Sequence, residues 1–189
     1  MKNIKVVTGL DLETTGFEVG KGARVTEFCF AIYHYDMNSG EFEQKKVITR
    51  LVNPMCPISE KIQSITGITP AMVATAKPFE FYAPAIDKII KASDCLIAHN
   101  MDFDGKFLFD MFALNKMQMS LESEPFCTMQ NGRFATAMGK VPKLSELAHS
   151  YGIDFDGVNA HRADYDTLKM MDCFVLGVNK GDFKPKFIH

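Results

Sequence analysis

Two acids set into an apolar strand constrain this chain more than anything else in it. Residues 5–13 read KVVTGLDLE, with Val6, Val7 and Leu10 marking a strand near the middle of a sheet. Alternate side chains on a strand share a face, so Asp11 and Glu13 point the same way, roughly 7 Å apart along the backbone. A central strand tolerates two neighbouring carboxylates only where something compensates them, a partner or a metal. The rest of the chain must therefore fold so as to deliver that compensation.

Further acids stand in two later motifs. AHNMDFDGKFL (residues 98–108) has helical periodicity, with Asn100 as a candidate N-cap. The positions that share a helix face with Asp104 are Phe107, Leu108, Met111 and Phe112. Asp104 thus lies on the apolar stripe, while Asp102, Lys106 and Asp110 lie outside it. AHRADYDTL (residues 160–168) places His161 five residues before Asp166. Within one helix those two would be about 140° apart. They can reach one point if His161 precedes the helix and Asp166 lies inside it. Four carboxylates and a histidine brought together are equipment for a pair of divalent metals and a general base, the means of hydrolysing a phosphodiester.

The surrounding pattern indicates an α/β domain. Segments 5–13, 24–35 and 42–52 read as strands, with a turn at Met37 to Gly40 joining the last two as a hairpin and GFEVGKG (residues 16–22) as a flexible loop. Helices are predicted over 59–65, 84–92 (with Pro84 in the first turn), 101–114, 143–151 and from just after 161 to about 178. Short strands are expected at 95–98 and 126–128. Strands followed by alternating helices and strands give a mixed sheet flanked by helices. One domain is expected over 1–178, with 179–189 a short, mildly basic, loosely held tail.

Composition narrows the partners. The 189 residues carry a formal charge of −2 and a pI near 6.2, which excludes a protein that coats nucleic acid indiscriminately. Five scattered cysteines without C-x-x-C spacing suit free thiols in a reducing compartment, so a cytoplasmic setting is expected. No apolar run reaches membrane-spanning length. GFEVGKG lacks the spacing and the Ser or Thr of a phosphate loop.

In order, D-x-E-T-T-G, H-N-x-x-F-D-x-x-F-L and H-R-A-x-x-D resemble the motifs of the DEDD exonucleases, in the histidine-bearing DEDDh branch. That branch includes the proofreading epsilon subunit of bacterial DNA polymerase III, oligoribonuclease and ribonuclease T. The resemblance covers about residues 5–175. It implies a ribonuclease H-like fold and 3′→5′ exonuclease activity releasing nucleoside 5′-monophosphates. It also implies two Mg²⁺ or Mn²⁺ ions held by Asp11, Glu13, Asp104 and Asp166, with His161 as general base. Thr14, His99 and Phe103 fall where the family lines its substrate pocket. Thr66 stands where proofreading relatives often carry His. Oligoribonuclease-like chains usually have Met at the position of Thr14, which favours a single-stranded DNA 3′ end over RNA. An exoribonuclease and a non-catalytic nucleic-acid- or polymerase-binding module are the alternatives. Either a free-standing nuclease or a partner of a DNA polymerase or replication complex fits a chain of this size.

Overall fold

In the computed structural model, residues 3–120, 122–157 and 160–188 are described. Five strands form one sheet: β1 (Ile4–Thr14), β2 (Val25–Asp36), β3 (Glu41–Leu51), β4 (Cys95–Ala98) and β5 (Glu124–Cys127), in the order β3-β2-β1-β4-β5. The first three are an antiparallel meander, whereas β4 and β5 run parallel to β1. Seven α-helices complete the described fold: α1 (Glu60–Thr66), α2 (Pro70–Val73), α3 (Phe79–Ala92), α4 (Met101–Leu114), α5 (Thr128–Asn131), α6 (Leu144–Ser150) and α7 (Ala163–Lys180). This is the mixed sheet flanked by helices of the ribonuclease H-like fold.

Strand alternation divides the core into two layers. Leu10, Leu12, Phe28 and Phe30 face α3 and α4, meeting Phe79, Ile86, Leu108 and Phe112. Val7, Ala31 and Tyr33 face α6 and α7, meeting Leu147, Met170, Met171 and Phe174. Asp11 and Glu13 continue the second face beyond its apolar part. Helix α7 crosses β1 very closely at Gly9: a Cβ there would come within 2.6 Å of Met171 Cγ and 2.7 Å of its Sδ. The missing side chain lets the helix carrying Asp166 lie down on the strand carrying Asp11.

Three expectations need correction. Helix α3 begins at Phe79, so Pro84 lies inside it rather than in its first turn. Phe79, Ala83, Ile86 and Ile90 form a buried stripe along one side, and their burial outweighs the one backbone hydrogen bond that proline removes. The segment 16–22 is not a loose loop. It contains a 3₁₀ turn, Val19–Lys21, with Val19 buried and Gly22 in the left-handed conformation at φ 95°. The C-terminal segment is not loosely held either. Gly181 ends α7, and the chain turns back to bury Phe183 and Phe187, at 2 % and 8 % exposure, against Phe126 and Tyr35. Gly177 leaves room for the Phe183 ring. The remaining predicted elements match observed ones to within a few residues; α2 and α5 have no counterpart among them.

Among the described residues no helix is long and apolar enough to cross a membrane. All five cysteines are free thiols, three of them buried.

Gly9→Val is expected to cost about 1–3 kcal/mol of stability by forcing α7 away from β1. Urea unfolding of the two proteins measures it, and an unchanged midpoint would show that the contact is not tight.

Candidate active site

The site lies where the sheet changes from two neighbours to one. Strand β4 pairs with β1 only at Val7, Thr8 and Gly9 and stops at Ala98. The remainder of β1, from Leu10 to Thr14, has β2 on one side and an open edge on the other. The chain turns through His99 and Asn100 into α4, whose first turn brings Asp104 to that edge. Asn100 occupies the N-cap position, although its side chain makes no capping bond. Asp104 is 4 % exposed. Ligand sites form at the carboxyl ends of parallel strands in just such a crevice.

A cavity of about 880 Å³ opens there. Asp11, Glu13, Asp104, His161 and Asp166 all line it, as do His99 and Phe103. The three sequence motifs, far apart in the chain, therefore converge. Among the described residues, Glu13, His161 and Asp166 bring potential ligand atoms within 4.8 Å of one another.

Crowding of like charge dominates the electrostatics. Burial, and then the charges of Asp104, Glu13, Asp166 and Glu27, hold Asp11 well above the usual carboxylate range. Burial, with Asp166, Glu27 and Asp104, pushes Glu13 up to about 9 against the opposing pull of Arg162. Asp104 rises to about 7, chiefly through burial; main-chain amides of Leu12, Asp104 itself and Asn100 work against the rise. Asp166 is raised by burial and lowered by the amide and charge of His161. Its Oδ1 is buried and has no hydrogen-bond partner among the described residues. A carboxylate oxygen in that condition, among three other acids, is what a divalent cation would satisfy. The residues present fit a hard, oxygen-preferring metal.

His161 and Asp166 hold each other in place. His161 has a left-handed backbone, φ 66°, which is uncommon outside glycine and costs of order 1 kcal/mol. That kink lets its amide donate to Asp166 Oδ2 at 3.1 Å while Asp166 N donates to Arg162 O at 3.0 Å. The intervening Arg162 forms a bidentate pair with Glu27: Nε to Oε2 at 3.1 Å and Nη2 to Oε1 at 2.7 Å. The Ala163 amide also donates to Glu27 Oε2, at 3.1 Å. Glu27 is 1 % exposed and sits directly across from Glu13 on β2. The start of α7 is thereby fastened to the sheet beside the acids. Sequence reasoning misses both members of this pair, though an acid inside VTEFCF carries the same signal as the acids inside KVVTGLDLE.

The expected pocket residues divide. Phe103 lines the cavity and meets the exposed ring of Phe17 edge to face, centroids 6.4 Å apart. Phe17 belongs to none of the sequence motifs; a large ring 82 % exposed beside an acid cluster is its signal. His99 also lines the cavity, but both ring nitrogens are engaged: Nε2 donates to Pro142 O at 3.1 Å, which leaves Nδ1 to accept from the Thr128 hydroxyl at 3.0 Å. Burial lowers its pKa to about 4, so it is a neutral brace. The hydroxyl of Thr14 donates to Gly16 O, and the residue is 8 % exposed. Thr66 is 4 % exposed, its hydroxyl is taken up by Ile62 O and the Ile68 amide at the end of α1, and it is not among the residues that line the cavity. In this structure the Thr66 hydroxyl serves the local packing of α1.

Comparison with known proteins agrees with this construction. The profile of the exonuclease family (RNase_T) matches residues 8–174. Ribonuclease T of Hahella chejuensis is 28% identical over 183 residues, covering 90% of this chain and 82% of that protein. The 3′-5′ exonuclease DinG of Bacillus subtilis is 27% identical over 158 residues; the match covers 83% of this chain but only 16% of DinG. Among solved structures, the nuclease domain of 3′hExo, a DEDDh family member bound to rAMP, superposes with a TM-score of 0.76 at 19% identity, covering 97% of both chains. Exonuclease X in complex with 5′ overhanging duplex DNA gives 0.70 at 23%, covering 95% of both. At such identities these two show the fold.

The chain thus belongs to the exonuclease family. Within it, the ordered acid motifs and the histidine make it a DnaQ-like 3′→5′ exonuclease of the DEDDh type, a family that implies a divalent metal.

The raised carboxyl pKa values have a consequence for stability. Below the ordinary carboxylate range, folded and unfolded chains are both protonated at these groups. Between that range and the folded values of about 7 and about 9, the unfolded chain has released protons that the folded chain keeps, so stability falls as pH rises. In EDTA, Tm should therefore decline from about pH 5 to about pH 9, and the rise in Tm on adding Mg²⁺ or Mn²⁺ should grow over the same interval as cations replace protons. A metal increment that does not change with pH in thermal melts would contradict this account of the cluster.

Proposed function

We propose that the chain removes nucleotides from the 3′ ends of single-stranded DNA as nucleoside 5′-monophosphates, using Mg²⁺ or Mn²⁺ at the acid cluster. The observation that carries the reading is the buried Oδ1 of Asp166, without a partner among the described residues, in a cavity that Asp11, Glu13 and Asp104 also line. Asp11, Glu13, Asp104 and Asp166 are the residues that would hold two ions. When bound, divalent ions supply charge stabilisation to the attacking and leaving oxygens of an in-line displacement.

The chain's own residues supply the rest. His161 stands at the exposed edge of the cavity, close to Glu13 and Asp166. There it accepts a proton from the attacking water; imidazoles suit proton transfer near neutral pH. The amide link between His161 and Asp166 and the Glu27–Arg162 pair keep the ring over the acids. Phe103, backed by Phe17, offers a flat apolar surface to the terminal base. His99 holds the cavity wall and takes no proton in this scheme.

RNA 3′ ends are the second reading, and the likeness to a ribonuclease T over most of both chains favours it. The preference for DNA rests on Thr14, whose hydroxyl is spent on Gly16 O. Work beside a DNA polymerase is the setting in which a DNA 3′ end would be offered; it rests on the resemblance to proofreading subunits. The free thiols support a cytoplasmic setting.

Matched DNA and RNA oligomers, incubated with Mg²⁺, Mn²⁺ or EDTA and read by mass spectrometry, test the activity. Metal-dependent 5′-mononucleotides from the 3′ end are expected, and the faster polymer names the substrate. No release from either polymer would leave a binding module in place of an enzyme.

His161→Asn retains a side chain that tolerates the left-handed backbone. It should keep the metal-induced rise in Tm and lose about 10²–10⁴-fold in rate. Loss of the Tm rise would make His161 a ligand instead of the base.

A further inference from the structure

Two cations stand on the wall of the acidic cavity with no role in the scheme so far. Lys140 and Lys143 line the same cavity as Asp11, Glu13, Asp104, His161 and Asp166. Both residues are exposed. Neither ammonium has an ion-pair or hydrogen-bond partner among the described residues. The other basic residue beside the acids, Arg162, is committed to Glu27.

The backbone between the lysines is held firmly. Pro142 is buried, and its carbonyl accepts from His99 Nε2 at 3.1 Å. The Lys143 amide donates to Glu146 Oε2 at 2.7 Å. The His99 ring is in turn braced by Thr128. The neutral histidine thus fixes a short bridge from which two positive side chains extend.

Their position has a stereochemical meaning. A chain cut at its 3′ end has one phosphate at the scissile bond and none beyond it, because the last nucleotide ends in a hydroxyl. Every other phosphate lies on the 5′ side. Cations that share the cavity with the cutting centre, but do not belong to it, therefore meet the strand upstream. The cavity, about 880 Å³, is near the upper end of ordinary ligand pockets of roughly 300–1,000 Å³, which leaves room beyond the terminal nucleotide. A protein of net charge −2 with acids at its centre repels a polyanion. Unpaired cations at that point offset the repulsion locally.

We propose that Lys140 and Lys143 form a phosphate subsite that holds the strand on the 5′ side of the scissile bond. The proposal rests on the exonuclease reading for its polarity. It makes the enzyme sensitive to substrate length, since a substrate with no upstream phosphate cannot use the subsite.

The test measures binding and cleavage separately. Binding of a fluorescein-labelled single-stranded 12-mer is followed by anisotropy in Ca²⁺ across a salt series, for the wild type, K140Q/K143Q, K140R/K143R and the remote charge control K184Q/K186Q. K140Q/K143Q should raise Kd about tenfold at low salt and reduce the slope of log Kd against log salt by about 0.7 for each phosphate that a lysine no longer neutralises. K140R/K143R should restore both, and K184Q/K186Q should match the wild type. With Mn²⁺, K140Q/K143Q should lose far more kcat/KM on the 12-mer, mainly through KM, than on the nitrophenyl ester of thymidine 5′-monophosphate, which has one phosphodiester and nothing upstream.

Wild-type Kd and salt slope in K140Q/K143Q would overturn the subsite, as would no measurable binding by the wild type, equal losses on both substrates, or an equal effect from K184Q/K186Q. Lysine-dependent binding without mononucleotide release would overturn the exonuclease reading and leave the phosphate subsite standing. Cleavage without lysine dependence would do the reverse.

Discussion

Mutual repulsion of carboxylates is the constraint around which this molecule is arranged. Four acids from three elements are held in one crevice, where burial and proximity drive Asp11, Glu13, Asp104 and Asp166 all upward in pKa. Left to themselves these groups would separate or stay protonated. What prevents separation is rigid packing at positions chosen by the sequence. Strand β1 is clamped by β2 along its length, α4 enters from the end of β4, and α7 is pressed onto Gly9. The stability given up at the crevice is held elsewhere, in two apolar layers on either face of the sheet.

The Glu27–Arg162 pair shows how a fold places a charge without neutralising the site. Glu27 lies opposite Glu13 and adds to its repulsion, yet its own oxygens are consumed by Arg162 and the Ala163 amide. The pair keeps the approach to α7 in a single conformation, so that the strained backbone of His161 and the amide contact to Asp166 persist together. A pair of this kind, with Glu27 buried and Arg162 partly exposed, gives little net stability; its use here is geometric.

Much of this is legible in the residues. Acids inside apolar segments expose Asp11, Glu13 and Asp104, because periodicity shows when a charge lies on a face that ought to be buried. The same logic reaches Glu27, whose strand is buried from Val25 to Ala31. It escapes notice because a lone acid carries no motif, and its partner Arg162 is 135 residues away. Thr66 shows what a sequence pattern leaves out. Its place in a sequence pattern suggests a pocket, whereas its hydroxyl closes the end of a short helix. Pro84 suits a helix start by a local rule, and the buried stripe from Phe79 overrides that rule. The fold-back of the last segment depends on the space at Gly177, which no local pattern displays.

That fold-back sets an order of assembly. The layer containing α3 and α4 draws on residues no later than Met119, and it can close while the rest of the chain is still being made. The opposite layer needs Phe183 and Phe187 under α7, in contact with Tyr35, Phe126 and Phe174. Asp166 rides on that helix. During synthesis the nascent chain therefore carries Asp11, Glu13 and Asp104 for a long interval before the fourth acid can be seated, and the complete crevice comes into being only after the ribosome has passed Phe187.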